Sequence, residues 1–166
     1  MKIDNSKIYH TIDPVYDENS KILILGSIPS VKSREENFYY AHPKNRFWKV
    51  LADVYEEEEP LTIMDKKSFL KKKNIALYDV IKSCNIAGSS DASIKNVKVN
   101  DIKGIVDKTK ISKIFTTGKT AYKLYNKYLK DIVGIEAICL PSTSPANMRI
   151  SYKELLENYK MIKKSL

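Results

Sequence analysis

The amino-acid sequence predicts an α/β fold, a three-layer α/β/α sandwich around a central four-stranded, mainly parallel sheet. Four short apolar runs read as buried strands: Lys21 to Gly26 (KILILG), Ile75 to Val80 (IALYDV), Lys113 to Gly118 (KIFTTG) and Glu136 to Leu140 (EAICL). Their β-branched and aromatic residues suit a pleated sheet, and turn residues bound each run. The segments between them carry apolar residues at helical spacing, and strands alternating with helices imply parallel pairing. A chain of 166 residues suits one domain, spanning 1–166, because that length can bury most of its apolar surface in one core.

Taken in order, the first strand ends in the loop Gly26 to Ser30 (GSIPS), where Gly lets the backbone approach a ligand and Pro fixes the turn. From Asn45 onward, Phe47, Trp48, Leu51, Ala52 and Tyr55 form one apolar helical stripe, which should end before Glu56 to Pro60. Asp65 can cap a short helix carrying Phe69 and Leu70. After the second strand, Asp79 to Ser93 reads as a loop, and Asn100 or Asp101 can cap a helix carrying Ile102, Ile105 and Val106. The fourth strand runs into the loop Pro141 to Asn147. Ser151 and Glu154 then form a capping box that starts a C-terminal helix burying Leu155, Tyr159 and Ile162.

Composition narrows the function classes. A hydrophobic fraction of 43% with 11 Tyr is enough to offset the entropy of ordering the chain, so a compact globule is expected. No run approaches the roughly 18 apolar residues of a membrane span. The start, MKIDNSKIYH, lacks the apolar centre of a signal peptide, so the expectation is a cytoplasmic protein with no membrane partner. Two cysteines, Cys84 and Cys139, cannot build an iron–sulfur cluster or an all-cysteine zinc site, and both read as small buried hydrophobes. The net charge of +9 favours a polyanionic partner, although Lys-rich usage alone can produce it.

In an open parallel sheet, ligands bind beyond the carboxyl ends of the strands. The loops at Gly26 to Ser30, Asp79 to Ser93 and Pro141 to Asn147 all follow strands directly, so they should converge. Between the first two lies FYYAHPKNRFW, Phe38 to Trp48, where an aromatic pair, a His-Pro turn and an Asn-Arg step lead into a helix. Such a block is far less expected by chance than GSIPS alone.

The glycine turn followed by AHPKNRFW resembles the uracil-DNA glycosylase superfamily, and the longer string GSIPSVKSREENFYYAHPKNRFW is most similar to its hypoxanthine-DNA glycosylase branch. LPSTSPAN, Leu140 to Asn147, stands where that branch has a DNA-clamping Pro-Ser loop. The resemblance runs from about Ile22 to Asn147 with the motifs in order. It implies a monofunctional glycosylase that removes deaminated bases from DNA, needs neither metal nor organic cofactor, and acts as a monomer. One departure stands out: where several superfamily members carry a water-activating Asp or Asn, this chain has Ile28, which cannot hydrogen-bond through its side chain. The hypoxanthine branch instead uses the Asn of its NRFW motif, here Asn45.

The resemblance implies specific roles. Asn45 would orient the attacking water, or alternatively only cap the helix it precedes. Tyr40, with Tyr39 as the alternative, would stack on the extruded base, while Gly26 and Ser27 line the base site. Asp79 would accept from the N1–H of hypoxanthine and repel the N1 lone pair of adenine; the plainer alternative is a buried Asp held by backbone N–H groups. His42 would donate to the leaving base or a phosphate, or serve as a turn residue. Ser30, Ser142, Ser144 and Asn147 would contact DNA. Arg149 would fill the gap left by the flipped nucleotide, or remain a solvated charge.

Other features lead nowhere. Gly118, Lys119 and Thr120 look like the end of a phosphate-binding P-loop, but the Gly required five positions earlier is Lys113. Lys71 to Lys73 and Glu56 to Glu59 are solvated charge runs. Three rival functions remain: removal of uracil, in general or opposite guanine; a DNA-binding module without catalysis; and hydrolysis of free deoxyinosine.

Overall fold

The computed structural model describes residues 5–87 and 90–165. Its centre is a four-stranded sheet of β2 (Ile22–Gly26), β3 (Ile75–Asp79), β6 (Lys113–Thr117) and β7 (Ala137–Leu140), in the order β3-β2-β6-β7. All three pairings are parallel, with Gly26 in register with Asp79. These are the four runs read from the sequence, each shorter by one residue.

Strand periodicity decides the layers. Ile22 and Ile24 of β2 face one side and pack with Phe47, Leu51, Phe69, Leu70, Leu155 and Tyr159. These side chains come from α2 (Phe47–Val54), α3 (Ile63–Lys73) and α7 (Tyr152–Lys164), and α2 packs directly on α7. Leu23 and Leu25 face the other way, onto Ile102 and Ile105 of α4 (Ile102–Asp107) and Tyr125 of α5 (Lys119–Tyr128). A strand buried on both faces has no polar alternation, which is why KILILG is uninterrupted.

The helix starts are chemically explicit. Ser151 Oγ accepts from the Glu154 N–H at α7, and Asp101 Oδ1 accepts from the Gly104 N–H at α4. At α3 the cap is Thr62, whose Oγ1 accepts from the Asp65 N–H, so Asp65 sits in the first turn instead of preceding it. There its carboxylate still complements the helix dipole. At the exposed flank of β3, Val15 and Leu77 exchange N–H···O bonds of 2.9 Å, which closes that edge.

The main departure is a second sheet. β1 (Asn5–Tyr9), β4 (Ile81–Ala87) and β5 (Lys95–Val99) form an antiparallel sheet in the order β1-β4-β5. Most of the described part of the segment read as the loop Asp79 to Ser93 is therefore strand; positions 88 and 89 of that segment lie outside the described residues. Its burial, with Ile81, Cys84 and Ile86 inside and Lys82 outside, is irregular because two register shifts interrupt the β4–β5 pairing. Short helices α1 (Val31–Glu36), α6 (Lys130–Val133) and the longer α5 complete the fold. Cys84 is buried as expected, whereas Cys139 is exposed, because β7 is an edge strand. Among the described residues, no helix is long and apolar enough to cross a membrane.

Leu51 is fully buried where α2 meets the sheet and α7. Leu51→Ala is expected to cost about 2–5 kcal/mol, measured as a lower midpoint in urea unfolding; a loss under about 0.5 kcal/mol would contradict this packing.

Candidate active site

A cavity of about 390 Å3 opens at the carboxyl edge of the parallel sheet. Its walls come from Gly26 to Ser30 after β2, Tyr40, His42 and Asn45, Asp79 at the end of β3, Thr117 to Thr120 after β6, and Ser142 to Ala146 after β7. The sequence-predicted residues Gly26, Ser27, Ser30, Tyr39, Tyr40, His42, Asn45, Asp79, Ser142 and Ser144 thus meet around one space. Asn147 and Arg149 lie outside this wall.

Asp79 is 3% exposed, and its Oδ2 lies 2.7 Å from His10 Nε2. Among the described residues no backbone N–H group is its partner, unlike the plainer reading of a buried Asp. Oδ1 makes no hydrogen bond among the described residues and lies over Gly26: a Cβ built on that glycine would sit 2.4 Å from it. Gly26 is therefore required because the neighbouring strand's carboxylate occupies the space of a side chain. The same Cβ would lie 3.4 Å from the Tyr40 hydroxyl.

Tyr40 sits at φ 53°, a left-handed conformation that a bulky residue adopts only when its surroundings hold it. Three contacts do so. Its ring stacks on Phe47 with centroids 3.8 Å apart and planes 14° from parallel. Its hydroxyl shares a 3.0 Å hydrogen bond with Thr117 Oγ1. The next backbone N–H, of Ala41, donates to Ser33 Oγ. Burial first, then the Asp79 carboxylate, raise the Tyr40 phenol far above its usual range, against the Thr117 hydrogen bond, so it remains protonated. Tyr39 goes to the core: it is 2% exposed, its hydroxyl donates to the Asp13 carbonyl, and its own carbonyl accepts from Trp48 Nε1. Although it touches the cavity wall, it offers a base almost no free ring surface.

The block Asn45 to Trp48 divides its labour. Asn45 Oδ1 accepts from the Phe47 N–H at 2.9 Å, so it does secure the helix start. That bond fixes the amide orientation, leaving one lone pair of Oδ1 and both Nδ2 hydrogens for the cavity. Arg46 donates from its two terminal nitrogens to the carbonyls of Asn147 and Ile150, each at 3.0 Å, and so braces the loop after β7. Phe47 underlies Tyr40. His42 Nδ1 accepts from the Lys44 N–H, which puts its proton on Nε2 and makes that nitrogen a donor.

The loop after β7 is largely self-satisfied. Ser142 Oγ accepts from the Ser144 N–H, Ser144 Oγ from the Ala146 N–H, and Asn147 Nδ2 donates to the Ser142 carbonyl. Ser30 Oγ likewise caps α1 by accepting from the Ser33 N–H. Ser142 and Ser144 remain on the cavity wall, whereas the Asn147 side chain is turned to holding the loop. Gly118, at φ 93°, lets this loop approach α5, since a Cβ there would lie 3.3 Å from Ser142 Cβ. Met148 and Arg149 project into solvent beyond it.

Sequence reasoning did not single out His10, Arg46 or Thr117. Arg46 lay within the AHPKNRFW block, but a bracing role could be read only from the partner loop. His10 carries no motif, and only the β1–β4 pairing brings it to Asp79. Among the described residues, no cluster of three His, Cys, Asp or Glu side chains could hold a metal ion.

Comparison with known proteins identifies the family. The family model "Uracil DNA glycosylase superfamily" matches residues 14–164. A protein of Methanosarcina acetivorans named hypoxanthine DNA glycosylase is 37% identical over 139 residues, covering 82% of this chain and 87% of that one. The protein of that name from Methanosarcina barkeri is 34% identical over 138 residues, covering 82% and 86%. A solution NMR structure from M. acetivorans, provisionally named a uracil DNA glycosylase, superposes with a TM-score of 0.78 at 32% identity, covering 93% of this chain and 98% of its own. By its sequence, its fold and its strand-edge cavity, this chain belongs to the uracil DNA glycosylase superfamily.

Proposed function

We propose that this protein is a monofunctional DNA glycosylase that hydrolyses the N-glycosidic bond of deaminated bases, hypoxanthine above all, leaving an abasic site for base excision repair. The observation that carries the preference is the Asp79 carboxylate, buried on one side by His10 and open to the cavity through Oδ1. Deamination of adenine replaces the N1 lone pair with an N1–H, and a fixed acceptor is the cheapest detector of that change. The names of the two Methanosarcina relatives support the same substrate.

The remaining groups supply what hydrolysis needs. Tyr40, backed by Phe47, offers an aromatic platform for a base taken out of the stack. The spare lone pair of Asn45 Oδ1 orients a water whose oxygen attacks C1′ as the bond to N9 breaks and its electron pair passes to the base. A neutral amide is a weak base, so most of the barrier must fall through positioning. A carboxylate beside the base resists negative charge building up on it; the Nε2–H of His42 and the Nδ2 hydrogens of Asn45 are the donors that offset this. The water proton ends on the departing base. Ser142, Ser144 and the basic charge suit the DNA backbone, and action as a monomer without a cofactor is part of the same proposal.

The same acceptor suits the N3–H of uracil, so uracil release is the second reading. Ile28 lines the cavity without offering a hydrogen bond, which weighs against the common uracil route.

Release from end-labelled duplexes in the absence of metal, with alkali to cleave abasic sites, tests the assignment. Asn45→Ala is expected to lower hypoxanthine release by roughly 100-fold or more while duplex binding persists. Uracil release alone would move the protein to the second reading; binding with neither product would make it a non-catalytic module. Strand cleavage without alkali would overturn the monofunctional assignment. Asp79→Asn replaces an obligate acceptor with an amide and should erode both hypoxanthine release and discrimination against adenine, by about tenfold or more; intact release and selectivity would refute base reading by Asp79.

A further inference from the structure

We propose that His10 is a positioning residue that sets the base preference of the cavity by fixing how Asp79 presents its oxygens. This rests on the reading of Asp79 as the acceptor for the lesion N–H. The imidazole side chain is 1% exposed and the carboxylate side chain 5%. Their 2.7 Å contact joins residues 69 apart in sequence. The His10 backbone N–H donates to the Lys82 carbonyl, continuing the β1–β4 ladder to the point where the ring meets the end of β3. The ring sits edge-on to Tyr78 at 5.1 Å between centroids and tilted against Tyr39 at 6.1 Å, so it has little freedom to turn.

The tautomer follows from the surroundings. His10 Nδ1 is buried and makes no hydrogen bond among the described residues. A proton there would be an N–H with no acceptor, whereas a bare Nδ1 leaves only a lone pair against aromatic rings. The proton therefore sits on Nε2 and is donated to Asp79 Oδ2. That arrangement leaves Asp79 an acceptor only, with Oδ1 beside Gly26, both residues lining the cavity. Without the donor, the buried carboxylate loses that fixed hydrogen bond and rotates, so Oδ1 no longer stands as a fixed acceptor for the N1–H that hypoxanthine carries and adenine lacks. His10 thus separates damaged from normal base without touching either.

Single-turnover hypoxanthine release by wild type, His10→Phe, His10→Gln, Asp79→Ala and His10→Phe/Asp79→Ala tests the proposal, with thermal unfolding of each. His10→Phe keeps the ring and removes the donor; His10→Leu replaces it if the phenylalanine variant does not fold. The expected loss is roughly 10- to 100-fold, the scale of one hydrogen bond to a charged group. His10→Gln, whose amide can donate to Oδ2, should recover most of it, and the histidine substitution should cost less than about threefold further in the Asp79→Ala background. Unimpaired release by His10→Phe, a folded but unrescued His10→Gln, or a full additional loss in the double variant would each overturn the role of His10. Undiminished release by Asp79→Ala would overturn base reading by Asp79 itself, which keeps the two failures distinct.

Discussion

Burying a carboxylate costs several kcal/mol unless hydrogen bonds replace the lost water, and the arrangement around Asp79 follows from meeting that demand on one side only. Among the described residues, His10 supplies the single close donor. The space for Oδ1 comes from the missing side chain of Gly26, its register partner on β2. Parallel pairing sets the two residues side by side, and the antiparallel β1–β4 pairing delivers the histidine. Two sheets of opposite type thus meet at one ion, and the oxygen left without a protein partner faces the cavity.

Around that ion, the segment Tyr40 to Trp48 behaves as one mechanical part. Phe47 holds the Tyr40 ring, Trp48 holds the Tyr39 carbonyl, and Arg46 reaches across to the loop after β7. Asn45 is fixed by the same helix start that orients its amide toward the cavity. Capping and the proposed catalytic position coincide there, since the hydrogen bond that satisfies the Phe47 N–H also prevents the amide from flipping. Strain at Tyr40 is tolerated because stacking, the hydroxyl contact and the Ala41 N–H together hold it.

The parallel sheet was legible because β2 and β3 are buried almost throughout and read as continuous apolar runs. Strands β6 and the edge strand β7, where Cys139 is exposed, still read as short β-branched and apolar runs bounded by turn residues. The starts of α4 and α7 were legible because Asp101 and Ser151 cap them through their own side chains. The antiparallel sheet was not: β4 mixes Lys82, Ser83 and Asn85 with apolar residues, and its register shifts break strict alternation. Cavity residues on the strand-end loops could be grouped because sheet topology forces those loops together. The loss of Tyr39 to the core, the turning of Asn147 onto its own loop and the arrival of His10 depend on side-chain direction and long-range pairing, which no local pattern carries.

The most direct test of base reading by Asp79 is a crystal structure with duplex DNA carrying hypoxanthine on a 2′-fluoroarabino sugar, whose fluorine resists the cationic character that cleavage requires. The account predicts an extruded base over Tyr40, its N1 within about 2.6–3.2 Å of Asp79 Oδ1, and the His10 contact to Oδ2 retained. A base seated in the cavity with its N1 edge turned away from Asp79 would contradict it.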